Sequence, residues 1–153
     1  GMTVMIGRGS LPVHVALAAS PGGRDLFVHT THLVDGICRP GERRLDRRAD
    51  LDAAPAVLLP RVGRPARAKV ALVQGEPLVL SDCVVWMRSE PGGRETELRD
   101  LLLSRWDEVA ALYGGSCAPY TSLDRLSAFL ARCGMVVRRR APAVGPNHAE
   151  PRV

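Results

Sequence analysis

As far as Glu90, apolar residues come in short runs punctuated by glycine and proline; beyond it they recur at helical spacing. In the first part Val13–Ala18 and Asp25–Thr31 read as strands, the former ambiguous with a short helix. Ala56–Leu59, Arg67–Val73, Leu78–Leu80 and Cys83–Met87 read as four more. Turn chemistry separates them, in Pro60-Arg61-Val62-Gly63-Arg64-Pro65 and in Gln74-Gly75-Glu76-Pro77. The gaps between runs are too short for helical crossovers, so the pattern predicts antiparallel hairpins.

After Pro91-Gly92-Gly93 the period becomes 3.6. Leu98, Leu101, Leu102, Trp106, Val109, Leu112 and Tyr113 fall on one face of a helix that Gly114-Gly115 ends, with Arg94, Glu95, Arg99, Asp100, Asp107 and Glu108 mainly on the other. A second helix starts near Thr121 or Ser122, with Asp124 in its first turn, buries Leu123, Leu126, Phe129 and Leu130, and stops at Gly134. Met135–Val137 has room for a last strand. The expected fold is therefore α+β, with an N-terminal antiparallel β-sheet or partly open barrel packed against two C-terminal helices. One domain spans residues 2–137, mainly β over 2–90 and helical over 94–134, and a basic flexible tail occupies 138–153.

Length and composition agree with a globular chain: 153 residues, 46% hydrophobic and 24% charged. Gly1 before Met2 is set aside as a cloning remnant. No apolar run approaches the roughly 18 residues of a membrane span and no signal-peptide pattern is present, so a cytoplasmic protein without a membrane partner is expected. Cys38, Cys83, Cys117 and Cys133 lie far apart with no CxxC, which reads as reduced, mostly buried thiols rather than a disulfide framework or zinc site.

Charge changes the picture more. Lys+Arg number 21 against 16 Asp+Glu, and Lys69 is the one lysine. Such arginine bias follows from a GC-rich genome, and it also supplies planar donor forks suited to phosphates and guanine edges. Between Arg39 and Lys69 stand nine cations (Arg39, Arg43, Arg44, Arg47, Arg48, Arg61, Arg64, Arg67, Lys69) and four acids (Glu42, Asp46, Asp50, Asp52), a net of +5 equal to that of the whole chain. Arg43, Arg44, Arg47 and Arg48 are interleaved with acids and read either as basic contacts or as a self-paired solvated loop. The stretch from Pro60 to Arg67 places three arginines on a rigid glycine-containing hairpin tip with no acid, an arrangement fit to enter a groove or clamp a phosphodiester backbone.

Other polar clusters carry less. His29 and His32 on a strand would point to opposite faces without a third ligand, which favours a hydrogen-bonded pair over a metal site. Asp35 could orient a histidine, but no nucleophile is in view for a triad. Cys83 opens an apolar strand (Val84, Val85, Trp86) and reads as core, with Asp82 capping the turn. Gly114-Gly115 lacks the Gly-Lys-Ser/Thr of a phosphate loop and reads as a helix–helix connector with tyrosines packed on the sheet.

On these residues a resemblance rests. Val57-Leu58-Leu59-Pro60-Arg61-Val62-Gly63-Arg64, then Lys69-Val70-Ala71-Leu72-Val73, then Leu80-Ser81-Asp82-Cys83-Val84-Val85 resembles the target-recognition domains of DNA modification systems. In those domains a strand enters an R-x-G turn, a K-V strand follows and an S-D step opens another strand. Leu102-Leu103-Ser104-Arg105-Trp106, the Tyr113–Tyr120 segment, Leu126 and Phe129-Leu130 are similar to the C-terminal segment of some adenine-specific DNA methyltransferases. The resemblance spans about residues 25–134 and implies recognition of double-stranded DNA by a β-rich domain packed on helices, with Arg61, Arg64, Arg67 and Lys69 at the matching positions. Neither the family's glycine-rich cofactor turn nor its Asn/Asp-Pro-Pro-Tyr/Phe catalytic motif is found, so no cofactor is expected and a methyltransferase or other catalytic subunit would supply the chemistry. A stand-alone specificity module, a piece of a split modification enzyme and a descendant with a new ligand all fit.

Arg43, Arg44, Arg47, Arg48 and the Arg138-Arg139-Arg140 tail would then assist phosphate attraction. Two rival readings remain open at this level. One is a protein-interaction module that docks through the amphipathic helix 95–113. The other is a small nuclease or hydrolase drawing on Asp82, Glu90, Glu95 and Glu97, although no metal-binding spacing links these acids.

Overall fold

A computed structural model of the chain describes residues 1–20, 22–115 and 117–140. Its elements are β1 (Thr3–Arg8), α1 (Val13–Ala18), β2 (Asp25–Val28), a 3-10 turn (Thr30–His32), β3 (Leu33–Val34), β4 (Ile37–Cys38), β5 (Arg44–Leu45) and β6 (Ala56–Pro60). A second 3-10 turn (Arg67–Lys69), β7 (Ala71–Val73), β8 (Leu78–Leu80), β9 (Val84–Glu90), α2 (Glu95–Ser104), α3 (Trp106–Ala110), α4 (Leu123–Arg132) and β10 (Val136–Arg139) follow. This is an α+β fold. No helix among the described residues is long and apolar enough to cross a membrane.

The strands form a seven-stranded sheet in the order β10-β1-β9-β6-β7-β4-β3 and a three-stranded sheet in the order β5-β2-β8. The expected antiparallel hairpin holds for β6–β7, and β6 also pairs antiparallel with the more distant β9. The purely antiparallel sheet does not hold. β10 runs parallel to β1, β8 to β2 and β4 to β7. Short gaps force antiparallel pairing only between strands that are paired with their chain neighbours. Here β7, β8 and β9 are chain neighbours that alternate between sheets, so each short connection is a corner rather than a hairpin. No barrel closes.

Strand periodicity explains the layers. Along β6, Val57 and Leu59 face the helices while Ala56 and Leu58 face the smaller sheet, and all four are buried. Strands covered on both faces read as continuous apolar runs, and these do. Between helices and large sheet lie Val4, Ile6, Val85, Met87, Leu98, Leu102, Val109, Leu126, Phe129 and Leu130. Between the sheets lie Leu26, Val28, Leu78, Leu80, Val84 and Trp86. Outside the small sheet, Phe27 and Val79 pack on Leu11, Leu45 and Ala16 of α1.

Four local expectations are corrected. Val13–Ala18 is a helix, since packing asks it to bury one residue, Ala16, and not one side of a strand. The helix read as continuous from Glu95 to Tyr113 breaks at Arg105 (φ −114°, ψ 37°) into α2 and α3, so among the described residues three helices and not two follow β9. The thiols are less buried than expected: Cys38, Cys83 and Cys133 are half-buried and Cys117 is exposed. The basic tail begins too early, because Arg138 and Arg139 belong to β10 and the Arg140 N–H bonds the carbonyl of Ile6. Residues 141–153 of that expected tail lie outside the described residues. β1, not among the strands read from sequence, lies inside the large sheet between β10 and β9. Its Gly7 is needed there: a Cβ would lie 2.5 Å from Cζ2 of Trp86, whose indole crosses the strand at that point.

Candidate nucleic-acid interface

The loop carrying Arg61, Arg64, Arg67 and Lys69 joins β6 to β7, and it is not a tight hairpin tip. The β6–β7 ladder stops at Leu58↔Ala71, because the run read as a strand from Arg67 begins as a 3-10 turn. The chain between is laid down against three other segments. Arg61 donates its N–H to the Cys83 carbonyl (2.7 Å) and accepts the Thr121 N–H (2.9 Å), while Gly63 N–H reaches Pro119 O (2.8 Å). Gly63 has a φ of +109°, which only glycine adopts without strain. The Tyr113 hydroxyl donates to Pro60 O (2.5 Å), and burial raises the pKa of this phenol. The tyrosine connector read from sequence thus anchors the loop's entry.

Three of the four cations are held by main-chain carbonyls. Arg61 Nε donates to Asp82 O (2.8 Å), Arg67 Nη1 to Leu103 O (3.0 Å), and Lys69 Nζ to Thr30 O (2.9 Å) and Leu33 O (3.2 Å). A carbonyl fixes a cation's position without cancelling its charge, and a guanidinium with five N–H groups has donors left over. None of the four is ion-paired among the described residues; the arginine–carboxylate pairs involve Arg24, Arg44, Arg88, Arg94, Arg105, Arg138 and Arg139. Arg64 is exposed and, among the described residues, makes no hydrogen bond or ion pair. Arg8, which sequence reasoning missed, stands at the end of β1 on the same edge, where it and Arg61 both act electrostatically on Cys83. No short motif marks it, and only the β1–β9 register brings it there.

The second group of arginines lies elsewhere. Arg43 caps α1 through the carbonyls of Ala16 and Ala19 (3.4 and 3.3 Å), and Arg44 bonds Arg24 O (2.8 Å) and approaches Glu76 (3.7 Å). Arg44 pairs near the start of β2, whereas Lys69 reaches carbonyls just past its end, so β2 separates the two groups. Arg47 faces the buried Asp50. Arg48 is exposed and has no partner among the described residues. Arg140 lies over the Trp86 ring, 5.1 Å from its centroid.

His29 and His32 sit on a 3-10 turn, not a strand. The His29 N–H donates to His32 Nδ1 (2.9 Å), and His29 Nδ1 lies 2.7 Å from the Ser81 hydroxyl. A nucleophile type is therefore beside a histidine after all, but Ser81 is fully buried and its Oγ already accepts the Cys83 N–H (3.3 Å), so no substrate reaches it. Burial raises the pKa values of the thiols of Cys83 and of Cys38, the latter to about 11. Asp82 and Glu90 stand at opposite ends of β9, Glu97 pairs with Arg94, and Glu95 is buried against Ser89. No group of three or more His, Cys, Asp or Glu that could hold a metal occurs among the described residues. The apolar stripe of the 95–113 region is consumed internally, with Leu98, Leu102 and Val109 fully buried. Neither a scan against protein-family models nor a search of curated proteins gives a match to the chain.

Proposed function

We propose that this chain is a non-catalytic target-recognition module that binds double-stranded DNA for a modification system, with a separate methyltransferase or other catalytic subunit supplying the chemistry. The observation that carries this reading is the β6–β7 loop: Arg61, Arg67 and Lys69 are fixed by neutral carbonyls and Arg64 projects beside them, so four positive charges stand without a carboxylate partner among the described residues. Pre-positioned, uncompensated cations suit phosphate contacts, which orient a protein on a duplex and dominate its affinity. The resemblance of the 57–85 segment to target-recognition domains points the same way.

Arg64 is the clean test position, because removing a side chain with no partner among the described residues leaves their contacts untouched. Each phosphate contact contributes about 0.9 to the slope of log affinity against log salt. Arg64→Ala is expected to reduce the slope for duplex DNA by about that amount with unchanged thermal unfolding, and Arg48→Ala to change it less. If wild-type affinity for a duplex does not fall between low and moderate salt, or if Arg61→Ala with Arg64→Ala leaves it intact, the reading is wrong.

A further inference from the structure

We propose that the turn from His29 to Leu33 is a proton-operated latch, closed at neutral pH, that clamps the basic β6–β7 loop to the body of the protein through Lys69. The case starts at His32. Its Nδ1 accepts the main-chain N–H of His29 (2.9 Å), and a main-chain amide can only donate. His32 must therefore be neutral, with its proton on Nε2. A proton added at Nδ1 sets two N–H groups face to face, and the side-chain bond that braces the turn, beside the main-chain His32 N–H to His29 O bond (2.9 Å), is lost.

Two further ties converge on the same turn. His29 Nδ1 lies 2.7 Å from Ser81 Oγ, which already accepts from the Cys83 N–H, so the buried hydroxyl's own hydrogen is free to bond a neutral imidazole. Lys69 Nζ is held by the carbonyls of Thr30 and Leu33, one inside the turn and one at its exit. The lysine can keep both bonds only while the turn keeps its shape. Opening the turn at His32 thus releases the loop's one lysine, and with it the end of the loop nearest β7.

The surroundings oppose protonation. His32 is half-buried, its ring edge-on to Phe27 at 6.5 Å between centroids, and a Cβ at Gly41 would come within 3.4 Å of Nε2. His29 faces His32 on its own turn, Lys69 from the second 3-10 turn and Asp82 from the β8–β9 corner, and of these only Asp82 favours a charged ring. Burial first, and for His29 the neighbouring His32 and Lys69 as well, hold both histidines below the ordinary value. The latch therefore stays shut through neutral pH and weakens only as pH falls below the ordinary histidine range.

Hydrogen exchange on the full chain, corrected for the intrinsic chemical rate, tests this at pH 7.5 and 5.0. Uptake of one proton in the open form raises the opening equilibrium by up to about tenfold per pH unit. Peptides covering residues 28–34 and 61–70 are expected to lose protection by that scale in acid, while β6 and β9 hold theirs. His32→Asn offers an acceptor that takes no proton, so neutral-pH protection persists and the acid step disappears. A second measurement needs no variant: ring C–H titration of the unaltered protein places both histidines below 6.5. Protection of the two segments that follows β6 at every pH, an acid step surviving in His32→Asn, or a His32 titrating at or above 6.5 each overturns the latch. None of these outcomes depends on whether DNA binds.

Discussion

Two buried carboxylates behave in opposite ways because their donors differ. Glu95, in the first turn of α2, accepts the Ser89 N–H and hydroxyl (both 2.8 Å) and the Gly93 N–H (2.9 Å). Burial alone would raise its pKa, but these donors together hold the carboxyl below the ordinary value. The stabilisation is present above the unfolded-state pKa and fades as pH falls through the lower folded value. Glu95→Ala leaves three donors unpaired and is expected to cost about 2–4 kcal/mol in urea unfolding at pH 7, a deficit that shrinks toward pH 3. Asp50 accepts the Leu80 N–H (2.7 Å) and the more distant Ser10 hydroxyl (3.3 Å), and here burial wins and raises the pKa. Its ionised form thus costs stability above the ordinary aspartate value, and the cost is relieved as acid protonates it. Asp50→Asn keeps an acceptor for Leu80 and should match or exceed wild-type stability at pH 7, an advantage that vanishes near pH 4. Asp50→Ala orphans the amide and should lose about 1–3 kcal/mol. If Asn and Ala prove equally damaging, ionisation of Asp50 is what the fold requires.

At the scale of elements, what could be read from sequence was what local pattern decides. β6, β8 and β9 are marked by apolar runs between turn residues, and α4 by its apolar spacing and by Ser122, whose hydroxyl accepts the Arg125 N–H. What escaped was set by partners far along the chain. β1 is an interior strand only because β9 and β10 flank it, and Arg138 and Arg139 become a strand only against β1. α1 has the composition of a strand and is helical because Ala16 alone packs inward. The candidate site shows the same division. The cations of the 61–69 loop were visible, but their anchors (Asp82 O, Leu103 O, Thr30 O and Leu33 O) come from three separate stretches of the chain, and no spacing within the loop encodes them. The same holds for Ser81 beside His29, residues far apart in sequence and joined by the parallel β2–β8 pairing.

For the whole molecule, the large sheet is shared property. β6 and β9 send alternate side chains into the helix layer and into the layer between sheets, so neither core can dissolve without stripping the other's floor. The two tryptophans happen to report on the two layers: Trp86 is buried between the sheets and Trp106 packs beneath the helices. A shared floor predicts one cooperative transition. Unfolding by urea, followed by fluorescence in Trp86→Phe and separately in Trp106→Phe, should agree in midpoint within each variant with far-ultraviolet circular dichroism. Leu80→Ala on one side and Leu126→Ala on the other, both fully buried, should each cost about 2–5 kcal/mol and move the signals of both layers together. If Leu126→Ala shifted the Trp106 signal alone and left Trp86 with its original midpoint, the helix layer would be a separately folding unit. The sheet would then be the stable platform, and the anchoring of the basic loop by Leu103 and Thr121 would be the part that comes loose first.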